Sequence, residues 1–270
     1  MNITNAVRIL TSKRTVTLLS NTLTFAVGGA TLATALATIY AWIVVRTDVP
    51  GKRVLQLLPI LPLVMPFVVK AFSWSLLFSP DLGLVNVLSK QYFGFSFFNI
   101  YSMEGLIFAL GVGGIPLAYL AIKPAIEALN PALEEASRVC GNGILKTFLK
   151  VTIPILMPAI LSAFMLLVII GLENFDYPFM LGTKGGIKIE TLATEIYFLI
   201  YGSIPPRFGT AAIYSIIFLM ITISTTLIYI YFTRKTHKFV VVTGKPGQKT
   251  LHMLGNWKYV ALAICVIIML

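Results

Sequence analysis

The chain has 270 residues, of which 57% are hydrophobic and only 11% are charged. Soluble domains carry about 25% charged residues, so this composition excludes an ordinary water-soluble protein and predicts an integral membrane protein. The formal net charge of +11 also occurs in nucleic-acid-binding proteins, but the distribution of the basic residues, given below, explains it without nucleic acid.

Five apolar stretches are each long enough to cross about 30 Å of hydrocarbon as a helix. The first carries small residues, among them Gly28 and Gly29, that suit close packing of helices. A sixth apolar stretch, Tyr259 to Leu270, ends after 12 residues and is too short to cross a bilayer. The pattern predicts an all-α, polytopic membrane protein with about five full spans and a partial sixth. The full spans are predicted at Thr15 to Val45, Val54 to Ser79, Gly105 to Ile122, Val151 to Leu172 and Phe208 to Thr233.

The second predicted span contains three prolines, Pro59, Pro62 and Pro66, so its helix is expected to be broken or kinked. Membrane helices tolerate proline where neighbours satisfy the freed carbonyls, and broken helices also line transport pathways, so both interpretations stay open. The same span holds Lys70, the one charged residue inside a predicted span. It lies roughly 25 Å beyond Arg53 along a helix, so its ammonium is expected to reach the far headgroups rather than to serve a buried site.

Two of the predicted loops have distinctive compositions. Pro80 to Glu104 is rich in aromatic residues, which favour the membrane–water boundary. The segment after the fourth span begins with Glu173 and Asp176, which are candidates for the mouth of a pathway. Their carboxylates could stabilise a cationic cargo there, or they could be solvated or contact a binding protein.

The longest amphipathic segment, Asn130 to Pro158, begins after the third span and runs into the fourth. Asn130 is a favourable N-cap for a helix that begins at Pro131, where a missing N–H costs nothing. Glu134 and Glu135 follow in or next to the first turn, where the positive end of the helix dipole favours carboxylates. An apolar stripe at helical spacing comprises Leu133, Ala136 and Val139 or Cys140.

This amphipathic helix is expected to end at Gly141-Asn142-Gly143, with a left-handed turn at Gly141. A second short helix follows, with apolar side chains at four-residue spacing on one side and Lys146 and Lys150 on the other. The pattern therefore predicts two helices and a sharp turn that lie across a surface rather than through a membrane.

Basic residues concentrate in alternate loops. Of the 21 lysines and arginines, 13 share one side of the predicted membrane and 7 share the other, while Lys70 lies within a span. The positive-inside rule places the richer side in the cytoplasm, which puts the amphipathic segment there and residues 1–14 outside. The richer side comprises Arg46, Lys52, Arg53, Lys123, Arg138, Lys146, Lys150, Arg234, Lys235, Lys238, Lys245, Lys249 and Lys258.

Within this segment, Glu135-Ala136-Ser137 is followed after three residues by Gly141 and after nine more by Val151-Thr152-Ile153-Pro154. This long, fixed spacing resembles the EAA loop of binding-protein-dependent ABC transporter permeases. Ser137 in place of the last alanine, and Val151 and Ile153 in place of Ile or Leu, are mild departures from that pattern.

The resemblance implies that residues 123–150, the EAA-like loop, form a cytoplasmic coupling loop. In that family the loop sits in a groove on the cytoplasmic ATPase subunit and converts nucleotide-driven closure into movement of the membrane helices. The residues alone leave a solvated amphipathic connector as the alternative. The coupling residues implied are Glu134, Glu135, Ala136, Ser137, Arg138, Gly141 and Pro154.

Further segments resemble the iron(III)-type permeases, a group that includes thiamine transporters, over about Val16 to Ile268. They include Arg46 to Gly51, the proline-rich Leu58 to Pro62 and Glu173 to Pro178. The resemblance implies the all-α, MetI-like helical bundle of ABC importer permeases.

This bundle is expected in residues 15–233, followed by a cytoplasmic linker at 234–258 and the start of a further transmembrane helix at 259–270. Many members of the group fuse two permease halves. We therefore expect the chain to be a piece of a double-length permease, and a single-half subunit is the alternative.

The sequence carries no G-x-S-x-G or H-E-x-x-H motif, and Gly141 to Thr147 resembles a P-loop but lacks a glycine before Lys146. We expect no enzymatic activity and no cofactor or metal on this chain, with ATP and Mg²⁺ bound by the partner ATPase. Cys140 and Cys265 are far apart in the sequence and predict neither a disulfide nor a metal site.

The resemblance implies a multi-pass subunit of an ATP-driven importer in the cell inner membrane. Its expected partners are the ATPase dimer, an extracytoplasmic solute-binding protein, a second permease half and the lipid bilayer, with iron(III) as the leading substrate. The alternatives are a membrane scaffold and an ATP-independent secondary transporter. The latter is disfavoured because no Asp or Glu lies within a predicted span.

Overall fold

The computed structural model describes residues 8–184, 188–236, 253–255 and 257–269. The predicted linker 234–258 lies largely outside the described residues. The elements within the described residues are all helical, in agreement with the predicted all-α class. They are α1 (Lys13–Arg46), α2 (Lys52–Leu57), a 3₁₀ helix (Leu58–Val64), α3 (Phe67–Phe78), α4 (Leu84–Phe93), α5 (Met103–Ala128), α6 (Pro131–Val139), α7 (Ile144–Thr147), a π turn (Phe148–Thr152), α8 (Ile153–Glu173), α9 (Asp176–Met180), α10 (Leu192–Tyr201), α11 (Phe208–Thr236) and α12 (Trp257–Met269).

Four helical stretches are long and apolar enough to cross a membrane: Lys13–Arg46, Met103–Ala128, Ile144–Glu173 and Phe208–Tyr231. They coincide with the first, third, fourth and fifth predicted spans. The last helix, α12, is apolar but has only 13 residues. The predicted polytopic architecture is therefore confirmed for the described residues.

The second predicted span is broken, as its prolines indicate. Lys52–Val64 and Phe67–Phe78 are bent by 103° relative to each other, which makes the pair either a broken span or a re-entrant loop. Pro62 lies inside the 3₁₀ helix, and Pro66 takes the extended values φ −58° and ψ 150° at the break. Proline has no N–H to donate, and it disfavours the α conformation in the residue before it.

The aromatic-rich stretch Pro80 to Glu104 is more ordered than its composition predicts, because it contains α4. The buried side chain of Asn86 holds this helix in place. Its Nδ2 donates to the carbonyls of Phe78, Ser79 and Phe98 at 3.0, 3.1 and 2.6 Å, and its Oδ1 accepts from the Phe98 N–H at 3.1 Å. Such non-local hydrogen bonds leave no periodic signal in the sequence.

The described residues fall into two compact units. Unit 1 comprises the described residues within 1–32, 65–113 and 168–227, and unit 2 comprises those within 33–64, 114–167 and 228–270. Unit 1 has an apolar core that includes Phe25, Leu106 and Tyr177, all fully buried. Unit 2 contains the EAA-like loop and buries Tyr40 and Tyr119, whose rings meet edge to face at 5.6 Å.

Glycines in α1 allow the close helix packing that the sequence predicts. A Cβ added at Gly28 would lie 2.8 Å from Ile107, and one added at Gly29 would lie 2.5 Å from Leu110. Both neighbours belong to α5, so α1 and α5 approach more closely here than any larger side chain would permit.

Overpacking at Gly29 is expected to destabilise unit 1. Gly29→Val would force Leu110 aside, at a cost of about 1–3 kcal/mol, and should lower the thermal unfolding midpoint of the purified protein in detergent. Ala35→Val is the matched control, because Ala35 is exposed on the same helix. Equal midpoints for the two variants would contradict the close contact.

Candidate functional site

Helix α6 begins as the sequence predicts. Asn130 is its N-cap, with Oδ1 accepting from the Ala132 N–H at 3.0 Å, and Pro131 occupies the first helical position. The cap satisfies one backbone donor at the helix start, and the proline has none that needs a partner. The local sequence alone therefore fixes where this helix starts.

The two adjacent glutamates of α6 have opposite environments. Glu134 is 2% exposed, whereas Glu135 is exposed. The Glu134 carboxylate accepts a hydrogen bond from Thr152 Oγ1 at 2.6 Å, and its other oxygen lies 3.5 Å from Nε of Arg46. The helix dipole explains why acidic residues are favoured here, but it does not explain why one of them is buried.

Arg46, at the end of α1, is the buried partner of Glu134. Its side chain is 5% exposed, and its Nη2 donates to the carbonyls of Ile126 and Leu129 at 2.9 and 2.5 Å. These carbonyls lie at the C-terminal end of α5, where a cation is favoured because the last carbonyls of a helix lack intrahelical partners. Removing one member of a buried ion pair costs about 3–5 kcal/mol, since the remaining charge stays buried without compensation.

The predicted apolar stripe of α6 is present, but it faces outward. Leu133 is 46% exposed and Val139 is 89% exposed, and Ala136 and Cys140 are exposed as well. The face that packs within unit 2 is polar and carries Glu134. Helix α6 is therefore amphipathic in the reverse sense, with polar side chains inside and apolar side chains outside.

The turn after α6 has the predicted left-handed glycine. Gly141 has φ +82°, its N–H donates to the Arg138 carbonyl at 2.9 Å, and the Asn142 N–H donates to the Ser137 carbonyl at 3.2 Å. Side chains close the turn too, because Ser137 Oγ lies 3.0 Å from Thr147 Oγ1. Glycine is favoured at Gly141 because a Cβ makes the left-handed conformation costly.

The second short helix of the EAA-like loop, α7, does not form a separate surface helix. It continues through the π turn into α8, so that Ile144–Glu173 is one candidate span of 30 residues. Pro154 explains the wide turn, because it cannot donate to the carbonyl four residues earlier. Phe148 anchors the turn against Trp42, with ring centroids 4.6 Å apart.

Of the candidate pathway residues, Pro59 and Pro62 belong to unit 2, whereas Pro66, Glu173 and Asp176 belong to unit 1. Glu173 is exposed, and Asp176 is half-buried at the start of α9, where burial raises the pKa of its carboxyl group. Both belong to unit 1, as does Lys70, which is half-buried with its ammonium 5.1 Å from the Phe67 ring centroid.

Unit 1 has an ion-pair cluster that the sequence does not reveal. Arg14 at the start of α1 pairs with Glu190 and with Glu195, the latter at 2.5 Å, and both carboxylates are buried. Nearby, the Leu192 N–H donates to Thr22 Oγ1 at 2.9 Å. The cluster fixes the first turn of α10 against the first turns of α1.

Sequence reasoning missed two residues that shape the EAA-like loop, Arg46 and Thr152. In the sequence, Arg46 contributes only to the cytoplasmic charge count and to a segment that resembles the iron(III)-type permeases, and Thr152 contributes only to the spacing of the motif. A basic residue that directly closes a long apolar helix is a usable signal, since the neighbouring helix ends supply carbonyls for it. The partner carboxylate, 88 positions later in the chain, has no local signal.

Four long apolar helices, a broken segment and an exposed amphipathic helix define a polytopic helical membrane protein. A family model described as the inner-membrane component of binding-protein-dependent transport systems matches residues 33–238. The chain belongs to this family.

Individual relatives carry different substrate names. A protein named a probable sulfate transport system permease protein, from Helicosporidium sp. subsp. Simulium jonesii, is 30% identical over 83% of this chain and 79% of its own length. A ferric transport system permease protein from Actinobacillus pleuropneumoniae is 28% identical over 88% of this chain. The chain spans only 34% of the length of that ferric relative.

The fold matches solved structures as well. In the crystal structure of a bacterial ABC transporter involved in the import of the acidic polysaccharide alginate, one chain superimposes with a TM-score of 0.66. The sequence identity is 19%, and the match covers 87% of this chain and 84% of the other. At this identity the likeness establishes the fold.

Two glycines of the loop turn provide a matched test of its geometry. A Cβ would meet nothing within 4 Å at either Gly141 or Gly143, but Gly141 has φ +82° and Gly143 has φ −68°. Gly141→Val should therefore loosen the turn, at a cost of at least about 1–2 kcal/mol, whereas Gly143→Val should be close to neutral. Amide hydrogen exchange of residues 137–147 measures the effect, and equal protection in the two variants would argue against the left-handed turn.

Proposed function

We propose that this chain is the transmembrane subunit of an ATP-driven ABC importer and that α6 is its coupling helix, docked on a separate cytoplasmic ATPase dimer. ATP binding would move α6, and the long helices would follow from inward-facing to outward-facing. The chain itself supplies the solute path, and the ATPase binds ATP and Mg²⁺ and performs the hydrolysis.

The reversed amphipathicity of α6 carries this proposal. An amphipathic helix on a connector normally turns its apolar side toward its own protein or toward lipid. Helix α6 instead binds its own unit through Glu134 and presents Leu133, Val139 and the exposed Glu135 outward. An outward apolar stripe next to charged side chains is what a protein partner requires, with an apolar centre and a polar rim.

The ion pairs of each unit support the predicted orientation. The contact of Arg46 with Glu134 places the end of α1 beside the EAA-like loop, as the alternation of spans requires. The contact of Arg14 with Glu190 and Glu195 places the start of α1 beside the segment between the fourth and fifth spans. By the positive-inside rule, the proposal assigns Arg46 and the EAA-like loop to the cytoplasm.

The proposed partners outside the cytoplasm are a solute-binding protein and a second permease half, fused or separate, within the lipid bilayer of the inner membrane. The structure of the alginate transporter includes a complex with its alginate-bound periplasmic protein, which is a precedent within the fold. That likeness supports the extracytoplasmic partner, and the residues that would contact it stay a proposal.

Iron(III) is the proposed substrate, with the exposed Glu173 and half-buried Asp176 as cation-attracting groups in unit 1. The ferric relative supports this choice, whereas the sulfate relative suggests an anion instead. The opposite charge of the two ions makes the alternatives easy to separate by experiment.

The deciding experiment is reconstitution of the complete transporter, with ATPase and binding protein, in proteoliposomes. Chelated radioactive iron(III) and radioactive sulfate are offered in parallel, with ATP or with a non-hydrolysable analogue inside. ATP-dependent accumulation of iron alone supports the full proposal, and accumulation of sulfate alone keeps the importer but overturns its substrate. Accumulation that persists with the analogue would identify an ATP-independent transporter.

Charge reversal at Glu135 is expected to abolish ATP-dependent uptake without affecting insertion of the helices. The exposed Glu135 can contact a partner, and a lysine there would meet that partner with the wrong charge. Glu104→Lys is the matched control, because Glu104 is an exposed glutamate in the first turn of α5. Uptake by the two variants is compared at equal amounts of membrane-inserted protein, and normal uptake with Glu135→Lys would refute the docking role of α6.

A further inference from the structure

We propose that the buried junction of Arg46, Glu134 and Thr152 transmits the movement of α6 to the three long helices around it. This inference rests on the proposed coupling role of α6 and adds the residues that carry the motion. Arg46 and Glu134 are then positioning residues of the transport cycle, which touch neither ATP nor the solute.

The junction joins the ends of three helices through one guanidinium group. Arg46 is itself the last residue of α1, its Nη2 holds the carbonyls of Ile126 and Leu129 at 2.9 and 2.5 Å, and its Nε faces Glu134 at 3.5 Å. A displacement of α6 therefore acts directly on the ends of α1 and α5. All of these groups lie within unit 2.

The second oxygen of Glu134 extends the junction to a fourth helix. Thr152 Oγ1 donates to it at 2.6 Å, and Thr152 is fully buried in the last position of the π turn that leads into α8. The Glu134 carboxylate thus links α6 to α8 through Thr152, and it links α6 to α1 and α5 through Arg46.

The chemistry of the junction suits a link that must move as a whole. Apolar contacts are non-directional, so an apolar face of α6 could slide over its unit without losing much stability. A buried charge pair and its hydrogen bonds have fixed directions, and separation leaves both charges without compensation. The apolar stripe of α6 faces outward toward the partner. The polar face therefore connects α6 to its own unit and transmits the partner's movement.

The adjacent position provides an internal comparison. Glu135 has the same side chain as Glu134 but is exposed, so it belongs to the surface that would bind the partner. Substitution of Glu135 should weaken binding of the ATPase. Substitution of Glu134 should leave that binding intact but uncouple ATP hydrolysis from transport. The two glutamates therefore separate docking from transmission within one turn of helix.

The test uses the complete reconstituted transporter with Glu134→Gln, Glu134→Asp and Glu135→Gln. Three quantities are measured: ATPase subunit that co-purifies with the permease, ATP hydrolysed with loaded binding protein, and solute accumulated. Glu134→Gln should retain the ATPase but raise the ATP consumed per solute by about tenfold, the size of a typical coupling between sites. Glu134→Asp keeps the charge and should recover part of the coupling.

Arg46→Lys tests the other member of the ion pair, because it keeps the positive charge while losing the fork that reaches two carbonyls and a carboxylate together. It should raise the same ratio, with the ATPase still bound. An unchanged ratio in both Glu134→Gln and Arg46→Lys would overturn the inference. A loss of uptake fully accounted for by loss of bound ATPase would overturn it too, because the junction would then only support the fold.

Failure of the proposed function gives a different result from failure of this inference. If wild-type transporter shows no ATP-dependent accumulation of either ion and no co-purified ATPase, the importer proposal fails and the junction loses its role with it. If wild type transports and the variants match it, only the junction is refuted.

Discussion

Burial of the Arg46 guanidinium is the constraint on which unit 2 depends. A charge removed from water needs compensation, and the structure supplies it through the carbonyls that Nη2 contacts at the end of α5 and through the carboxylate of Glu134 in α6. Since Arg46 is also the last residue of α1, the ends of separate helices have to converge at this point. The position of α6 follows from that electrostatic requirement more than from apolar packing.

This arrangement leaves the apolar side chains of α6 free for another purpose. In most globular proteins the apolar face of a surface helix stabilises its own fold, and a partner must bind to the polar face. Here the division is reversed, so an outward surface with Leu133 and Val139 exists before any partner binds. A preformed surface of this kind lowers the ordering cost that association would otherwise carry.

Local features of the fold and site could be predicted from the sequence, and non-local ones could not. The cap at Asn130, the left-handed turn at Gly141 and the break at Pro66 each depend on backbone preferences of single residues. Helical periodicity located the stripe of α6 correctly, but it does not tell which face is buried. The buried face of α6 is the one that contacts Arg46, which lies far away in the chain. Contacts between separate segments also hold α4 in place through Asn86, so the sequence did not predict that helix.

The π turn between α7 and α8 has a consequence for how the loop and the membrane helix are joined. In a π turn each hydrogen bond joins residues five positions apart, whereas in an α turn it joins residues four positions apart. The π turn therefore contains one additional residue. Conversion of this turn to the α form would rotate the whole of α8 by about 100° relative to α7, with nearly all backbone hydrogen bonds retained. The π turn at Phe148–Thr152 therefore sets the rotation at which α8 continues from the EAA-like loop.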